Sequence, residues 1–310
     1  MAYTTGMLTI SLAHATYQSM VPLRDLVEYW KSQTQYIQRV EYCLAFSSDD
    51  TATRNYLKQE EVYFRNQSSL FLDFNIIETP ESNEVSAVQN WNQAAVKSQG
   101  EVLLVISDDV VPEKNWDIML DSLLDSSSIQ NEIVWKIQDF KCHTYDEDGL
   151  LPRHPLATRK YVLSKDGIFN PSFYGRGADD FLLYETLKAA QLKELKCFKL
   201  HHAFGRILNE ENHLNCGCDL TIESFSQNSV SQLRISKTKS DAQKIISKKT
   251  NIYFRIYGPM LCNGKYAWRV TYRDSDGMVR LRSWPSVLFH RLVFTIMQKL
   301  LRRTRRSLKE

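Results

Sequence analysis

Residues 101–112 read EVLLVISDDVVP, and this stretch decides the fold. Five apolar residues in succession have the length of a buried strand, and Ser107, Asp108 and Asp109 follow them directly. Carboxylates at the end of an apolar strand must be hydrated, paired or bound to a cation. Carboxylate oxygens are ligands of Mg²⁺ and Mn²⁺, and such cations commonly hold the diphosphate of a substrate. The stretch therefore indicates an enzyme that acts on a phosphorylated donor.

Strand-like and helix-like segments alternate on both sides of this stretch. The predicted strands are Leu8 to Ala13, Val40 to Phe46, Phe74 to Glu78, Val102 to Ile106 and Ile133 to Phe140. The predicted helices are Leu23 to Ile37, Thr53 to Phe64, and Ser82 to Ser98 with Ser82 as N-cap and Gly100 as stop. Such alternation predicts an α/β fold, a mostly parallel sheet with helices on both faces. In these sheets ligands bind beyond the carboxyl ends of the strands.

The second half of the chain is less regular. It contains a predicted short strand at Tyr161 to Leu163, a helix from Ala178 to Ala190, a strand from Lys196 to Leu200, and a hairpin of Tyr266 to Arg273 with Met278 to Trp284. Residues 205–250 are polar without a clear period and suit a lid or a loop-rich flank. We expect a catalytic domain over 1–205, a flank and hairpin region over 206–285 that completes the acceptor side, and a C-terminal helix over 286–310.

Charge is distributed unevenly along the 310 residues. The total is +3, but residues 291–310 hold seven basic residues and one acidic residue, a net charge of +6, so the rest carries −3. An acidic body gives no electrostatic basis for binding nucleic acid. The basic segment continues an apolar helical stripe that begins at Leu288, which suits an anionic membrane surface. Docking of this helix on the acidic body is the competing interpretation.

The cysteines are scattered, and the N-terminus lacks the pattern of a secretory signal. We interpret Cys43 and Cys197, inside strand-like runs, as reduced buried thiols. No apolar stretch approaches the roughly 20 residues that span a bilayer. We therefore expect a cytoplasmic protein, peripheral on the inner face of the membrane. His213, Cys216 and Cys218 lack a fourth ligand at convincing spacing, which disfavours a structural zinc site.

The stretch from Asn90 to Pro112 resembles the helix, turn, strand and D-x-D motif of the family 2 inverting glycosyltransferases, which have the Rossmann-like GT-A fold. Ser107 stands where the family has its first Asp. The resemblance implies Asp109 as the ligand of Mn²⁺ or Mg²⁺ and Asp108 as a donor-sugar contact. It covers roughly residues 8–204.

A second stretch, FYGRGADDFLLYE from Phe173 to Glu185, resembles the glycine-rich loop and acidic pair of the same family. This resemblance implies that Asp180 is the general base. Asp179 would then orient the acceptor or hold Asp180 in place. Helix capping alone is the simpler interpretation of the pair.

The resemblance also implies a nucleotide-sugar site and further metal ligands. The nucleotide-sugar contacts would be Ala13, His14, Ala15, Asp49, Asp50 and Asn92, with a carboxylate accepting from the imide N–H of uracil. His201 or His202, at the end of a strand, would help to hold the metal or the diphosphate. Strand alternation allows just one of the two histidines to face the site.

The expected function is thus a metal-dependent inverting transfer of sugar from a nucleotide-sugar, with UDP favoured, to a saccharide or lipid-linked acceptor. Two alternatives remain open. One is a non-catalytic nucleotide-sugar-binding or membrane-surface protein on the same fold, since Ser107 and Trp91 depart from the family motif. The weaker one is a nucleotidyltransferase, which would need a glycine-rich basic loop after the first strand; residues 13–21 contain no glycine.

Overall fold

The computed structural model describes residues 7–19, 21–80, 86–139, 149–207, 240–261, 270–283 and 285–289. The strands are β1 (Ile10–Thr16), β2 (Val40–Ser47), β3 (Asp73–Thr79), β4 (Val102–Ser107), β5 (Val110–Pro112), β6 (Val134–Asp139), β7 (Leu156–Thr158), β8 (Leu192–His202), β9 (Thr271–Arg273) and β10 (Val279–Leu281). The α-helices are α1 (Leu23–Gln33), α2 (Thr51–Gln59), α3 (Glu61–Gln67), α4 (Ala87–Lys97), α5 (Trp116–Leu123), α6 (Ser126–Ile129), α7 (Arg159–Lys165), α8 (Ala178–Ala189), α9 (Ala203–Ile207), α10 (240–249) and α11 (Ile252–Leu261).

One mixed sheet of eight strands organises the described chain, in the order β3-β2-β1-β4-β7-β6-β8-β5. The first four strands in this order are parallel, and β6 and β8 are parallel to each other. Strands β5 and β7 pair antiparallel with their neighbours. The predicted α/β fold with a mostly parallel sheet is confirmed.

Helices cover both faces of the sheet, which is why β1, β2 and β4 are almost continuously apolar and buried. Helices α1 and α5 pack on one face, where Trp30 and Trp116 meet edge to face at 5.3 Å. Helices α4, α7 and α8 pack on the other face. Between α4 and β4 the chain passes close to β1, since a Cβ on Gly100 would lie 2.5 Å from Oγ of Ser11. Helix α4 ends at Lys97 with Ser98 as its C-cap, so the predicted stop Gly100 lies beyond the helix end.

Several predicted boundaries were wrong. The segment Tyr161 to Leu163 lies in helix α7, whose N-cap Thr158 accepts a hydrogen bond from the N–H of Tyr161, and the short strand is β7 before it. Helix α4 is capped by the side chain of Ser86, and the predicted cap Ser82 lies outside the described residues. The segment predicted as one helix from Thr53 forms two, α2 and α3.

Of the two predicted buried thiols, one is buried and one is exposed. Cys43 is a buried free thiol, as expected, and burial raises its pKa. Cys197 is exposed, because it lies in the part of β8 where the strand register shifts against β6 and alternate side chains face solvent. The prediction that Cys197 is buried was wrong.

The C-terminal part contains a smaller hairpin than predicted, β9 paired antiparallel with β10 around a turn at 274–277. Residues 285–289 are helical, with Val287 buried. The basic segment from Arg291 and the cluster His213, Cys216 and Cys218 lie outside the described residues. Among the helices that the structure describes, none has the length and apolar character to cross a bilayer.

Candidate functional site

The carboxyl ends of β1 and β4 hold the first acidic cluster. The turn after β4 presents Asp108, whose Oδ1 lies 2.9 Å from Nε2 of His14 and whose Oδ2 accepts a hydrogen bond of 3.1 Å from Thr16. The other ring nitrogen of His14 lies 2.9 Å from the hydroxyl of Tyr42 in β2. Because a carboxylate only accepts, His14 donates from Nε2 and its Nδ1 accepts from Tyr42. Asp108 is thus fixed to the end of β1.

The predicted nucleotide-sugar contacts Ala13, His14 and Ala15 lie inside β1, which extends to Thr16 and so passes the predicted strand end. All three are buried. The polar group of His14 faces Asp108, so its contribution to a ligand would pass through that carboxylate. The loop that follows β1 begins three residues later than predicted from the apolar run.

Asp109 belongs to a different set of contacts. Its side chain accepts a hydrogen bond from the hydroxyl of Ser107, and Oγ of Ser107 lies 2.8 Å from Nε2 of His154. The other ring nitrogen of His154 lies 3.2 Å from Oδ2 of Asp139, and the guanidinium of Arg153 forms an ion pair with Asp139 at 3.6 Å. Strands β4 and β6, and the segment that leads into β7 between them, therefore contribute polar side chains at the carboxyl ends of β4 and β6.

The second acidic cluster opens helix α8. Gly177, with φ of +81°, turns the chain into the helix, and Oδ1 of Asp179 accepts from the backbone N–H of Asp180. Burial and the neighbouring charge of Asp180 raise the pKa of Asp179 to about 6, and the charge of Arg153 acts in the opposite direction. Arg153 thus pairs with Asp139 at the end of β6 and contributes its charge at Asp179. Through Arg153, the start of α8 interacts with the polar side chains at the carboxyl ends of β4 and β6, although Asp109 and Asp179 are 70 residues apart in the sequence.

Asp49 and Asp50 have different surroundings. Asp50 is buried and caps α2: its carboxylate accepts from the N–H groups of Thr53 at 3.0 Å and Gln18 at 2.8 Å. Asp49 is exposed. A cleft of about 290 Å³ lies next to this cap, lined by residues of the loop after β1 and of α2, among them Gln18 and Tyr56.

Asn92 is used within the protein. Its Oδ1 accepts from the N–H groups of Ile168 and Phe169, both at 2.9 Å, and its Nδ2 donates to the carbonyl of Phe169 at 2.7 Å. One N–H of the amide is left over. Trp91, one residue earlier, donates from its indole to the carbonyl of Ile106 at 2.8 Å. Helix α4 therefore fixes the loop at 167–169 and the end of β4 from inside.

The two histidines at the end of β8 lie opposite β5, His201 beside Val111 and His202 beside Val110. Nε2 of His201 lies 2.9 Å from Oε1 of Glu113, and Nε2 of His202 is buried. The backbone of Asp109 is tied to the same segment, since its carbonyl accepts from the N–H of Ala203 at 2.8 Å. Strand alternation directs the two rings to opposite faces, with His201 on the face of Glu113.

The described residues contain no group of three or more His, Cys, Asp or Glu arranged to hold a metal ion. Of the two aspartates at the end of β4, Asp108 is committed to His14 and Thr16. Asp109, whose backbone carbonyl accepts from the N–H of Ala203 next to His202, supplies a small donor set. Such a set fits a cation of the Mg²⁺ type, which is commonly held by one or two carboxylates together with substrate phosphates. It does not fit a cation held by the protein alone.

Sequence reasoning missed His154, Asp139, Arg153 and Tyr42. His154 and Arg153 lie in a segment rich in proline and charge that carries no motif. Asp139 and Tyr42 lie inside strand-like runs, where a single polar residue has no distinguishing signal. Their proximity to the acidic clusters depends on the order of strands in the sheet.

Comparisons with known proteins give structural matches. No protein-family model and no curated protein matches the sequence. The mannosyltransferase PcManGT from Pyrobaculum calidifontis, in complex with GDP-Man and Mn²⁺, matches with a TM-score of 0.51 at 10% identity, over 86% of this chain and 71% of that chain. S. aureus TarS 1-349 matches with a TM-score of 0.46 at 13% identity, over 66% of this chain and 63% of that chain, and thus less than two thirds of its length. Its complex with UDP-GlcNAc matches over 84% and 80%, with a TM-score of 0.46 at 13% identity. The mixed sheet and its helices, together with the PcManGT match, show that the chain has the GT-A type of glycosyltransferase fold.

Proposed function

We propose that this protein is a glycosyltransferase that moves a sugar from a nucleotide-sugar to a hydroxyl group of a saccharide or lipid-linked acceptor, with inversion at the anomeric carbon. The observation that carries the proposal is the set of contacts and charge interactions that links the two acidic clusters. Contacts and charge interactions connect Asp109 at the end of β4 to Asp179 at the start of α8 through four intervening side chains. One cluster suits the donor and the other the acceptor.

On the donor side, Asp108 and Asp109 lie where the parallel strands end, the position at which ligands bind in such sheets. Asp49 is the carboxylate we assign to the imide N–H of a uracil base, because Asp50 is occupied by the cap of α2. This assignment makes a UDP-sugar the expected donor. Mn²⁺ or Mg²⁺, held by Asp109 with a histidine of β8, would supply positive charge to the diphosphate leaving group.

On the acceptor side, Asp180 takes the proton of the acceptor hydroxyl. The hydroxyl oxygen then forms a bond to the anomeric carbon from the face opposite the diphosphate. The bond from this carbon to the diphosphate oxygen breaks, and its electron pair leaves with the nucleoside diphosphate. Asp179, which accepts from the N–H of Asp180, holds the start of the helix and orients the acceptor.

The test begins with the donor. Thermal unfolding with Mn²⁺ and a panel of UDP-, GDP- and other nucleotide-sugars identifies a ligand by the rise in Tm, because a ligand that binds the folded state stabilises it. With that donor, Asp180→Asn should bind as tightly as the wild type yet lose about 10²–10⁴-fold in turnover, the usual contribution of a general base.

The matched control is Asp125→Asn. Asp125 also lies at the start of a helix, and Asn can still accept the capping hydrogen bond from Ser128. Its turnover should equal that of the wild type. Unimpaired turnover by Asp180→Asn would refute the base assignment.

Donor hydrolysis without acceptor separates the enzyme from the competing non-catalytic function, which Ser107 at the first acidic position favours. A wild type that binds the nucleotide-sugar but neither hydrolyses nor transfers it would be a binding protein.

A further inference from the structure

A buried histidine beside the donor cluster takes no part in the reaction proposed above. The ring of His154 bridges Ser107 at 2.8 Å and Asp139 at 3.2 Å. The side chains of His154 and Asp139 are 6% and 7% exposed. Burying such a pair is costly and by itself is weak evidence of a stabilising role. A buried hydrogen-bond network of this kind can nevertheless hold its members in place.

The sheet explains how the three residues meet. Strand β7 runs antiparallel to β4, with Leu156 opposite Leu104, and the carbonyl of Pro155 accepts from the N–H of Val105 at 3.0 Å. His154, the residue before Pro155, therefore lies beside the end of β4. Strand β6 flanks β7 on the other side and ends at Asp139. Each residue is thus placed by backbone pairing at the same edge of the sheet.

The hydrogen atoms on Ser107 and His154 determine which hydrogen bonds the two side chains can form. The hydroxyl of Ser107 has one hydrogen and two neighbouring acceptors, the carboxylate of Asp109 and Nε2 of His154. Asp139 only accepts, so it requires the hydrogen of His154 on Nδ1. In the neutral ring Nε2 is then an acceptor for Ser107. The hydroxyl can serve Asp109 or His154, but not both at once.

We propose that His154, fixed by Asp139, is a positioning residue for donor binding: its Nε2 accepts the hydrogen bond of the Ser107 hydroxyl, which then no longer donates to Asp109, so that the cation and diphosphate of the donor can take the place of that hydrogen bond. This inference rests on the proposed function. It explains how Ser107 can stand at the first acidic position of the motif without keeping Asp109, the expected metal ligand, in an internal hydrogen bond. His154 acts through Ser107 and does not touch the donor.

The test is a double-mutant cycle read out as Mn²⁺ binding. Electron paramagnetic resonance measures free Mn²⁺ in the presence of UDP or, separately, GDP, so that no turnover is needed. In His154→Phe the acceptor for the Ser107 hydrogen is lost, and the hydroxyl stays on Asp109. Mn²⁺ affinity should fall about 3–10-fold, the effect of one neutral hydrogen bond. His154→Gln, whose side-chain oxygen can accept from Ser107, should retain most of the affinity.

Ser107→Ala removes the hydroxyl that competes for Asp109. In this background His154→Phe should have no effect on Mn²⁺ affinity. An equal loss with and without the hydroxyl would show a merely structural role and overturn the inference. Unfolding midpoints of all variants provide the check on folding.

The proposed function is tested separately by turnover. A wild type that transfers sugar while its Mn²⁺ affinity is insensitive to His154→Phe would overturn the inference and leave the proposed function intact. A wild type that binds neither nucleotide nor Mn²⁺ would overturn both.

Discussion

The imidazole of His14 donates a hydrogen bond to Asp108 across 2.9 Å, and this bond joins the ends of β1 and β4. Since Nε2 of His14 carries the hydrogen, Nδ1 requires a donor, and Tyr42 supplies it from β2 at 2.9 Å. Three parallel strands are therefore tied together directly beneath the proposed donor site. The position of Asp108 thus depends on a fully buried tyrosine of β2.

Replacing Tyr42 with Phe should destabilise the fold by about 1–2 kcal/mol, because Nδ1 of the buried His14 loses its donor. The ring contacts with Phe71 and Phe74 are retained. Urea unfolding measures the loss. Tyr63→Phe is the matched control: its hydroxyl donates to Glu28 on a half-exposed helix surface, and the loss there should be smaller. Equal losses would contradict the special role of the Tyr42 hydroxyl.

Asp179 should impose a pH dependence on stability. Its pKa of about 6 in the folded protein exceeds the ordinary 3.8 of an unfolded Asp, so the folded state binds more protons between these values. The contribution of this group to stability is complete below about pH 4 and is lost as pH rises through 6. Asp179→Asn removes the buried charge and should stabilise the protein by about 1–3 kcal/mol at pH 7.5, with no gain at pH 3.5.

Denaturant unfolding at the two pH values checks this difference. Asp125→Asn provides a control of opposite sign, since hydrogen bonds from Ser127 and Ser128 hold the pKa of Asp125 below its ordinary value. That variant should lose stability at pH 7.5. A pH-independent effect of Asp179→Asn would contradict the assigned burial of its charge.

Gly167 should resist substitution because of Asn92. The glycine has φ of +141°, and a Cβ there would lie 2.7 Å from Cγ of Asn92. Gly167→Ala is expected to cost about 2–4 kcal/mol, from backbone strain and from displacement of an amide that makes three hydrogen bonds. In an Asn92→Ala background the added cost should shrink, because the contacts with Cγ and Oδ1 are gone and only the backbone strain and a Cβ contact at 3.1 Å remain. Strictly additive unfolding free energies would argue against this contact.

The basic C-terminal segment is expected to bind anionic membranes. Removing residues 290–310 keeps the buried Val287, so the described part of the chain should remain folded. The deletion removes seven basic residues, each worth about 1 kcal/mol near an anionic surface. Co-sedimentation with vesicles containing phosphatidylserine should be lost, as it should be for the full chain at high salt. Undiminished sedimentation of the shortened chain would exclude this segment as the anchor.

The sequence by itself indicated strands β1 to β4, helices α1 and α4, and the two acidic clusters. Runs such as Val102 to Ile106 are buried on both faces of the sheet, so their composition indicates a strand without reference to the rest of the chain. The clusters at Asp108 and Asp179 were found because each directly follows or opens an element whose type is a local property. Local signals conflict at Tyr161 to Leu163. The side chains there are typical of a strand, but the N-cap Thr158 starts a helix that includes them.

Only the tertiary structure decided which side chains serve the site and which serve the fold. Asp50 and Asp49 are neighbours of the same type, yet one caps α2 and the other faces solvent. His154 meets Ser107 because β7 is inserted antiparallel between β4 and β6. Strand order and register arise from the sum of many packing contacts between distant parts of the chain. No local pattern records them, and the polar contacts that depend on them become visible only in the folded molecule.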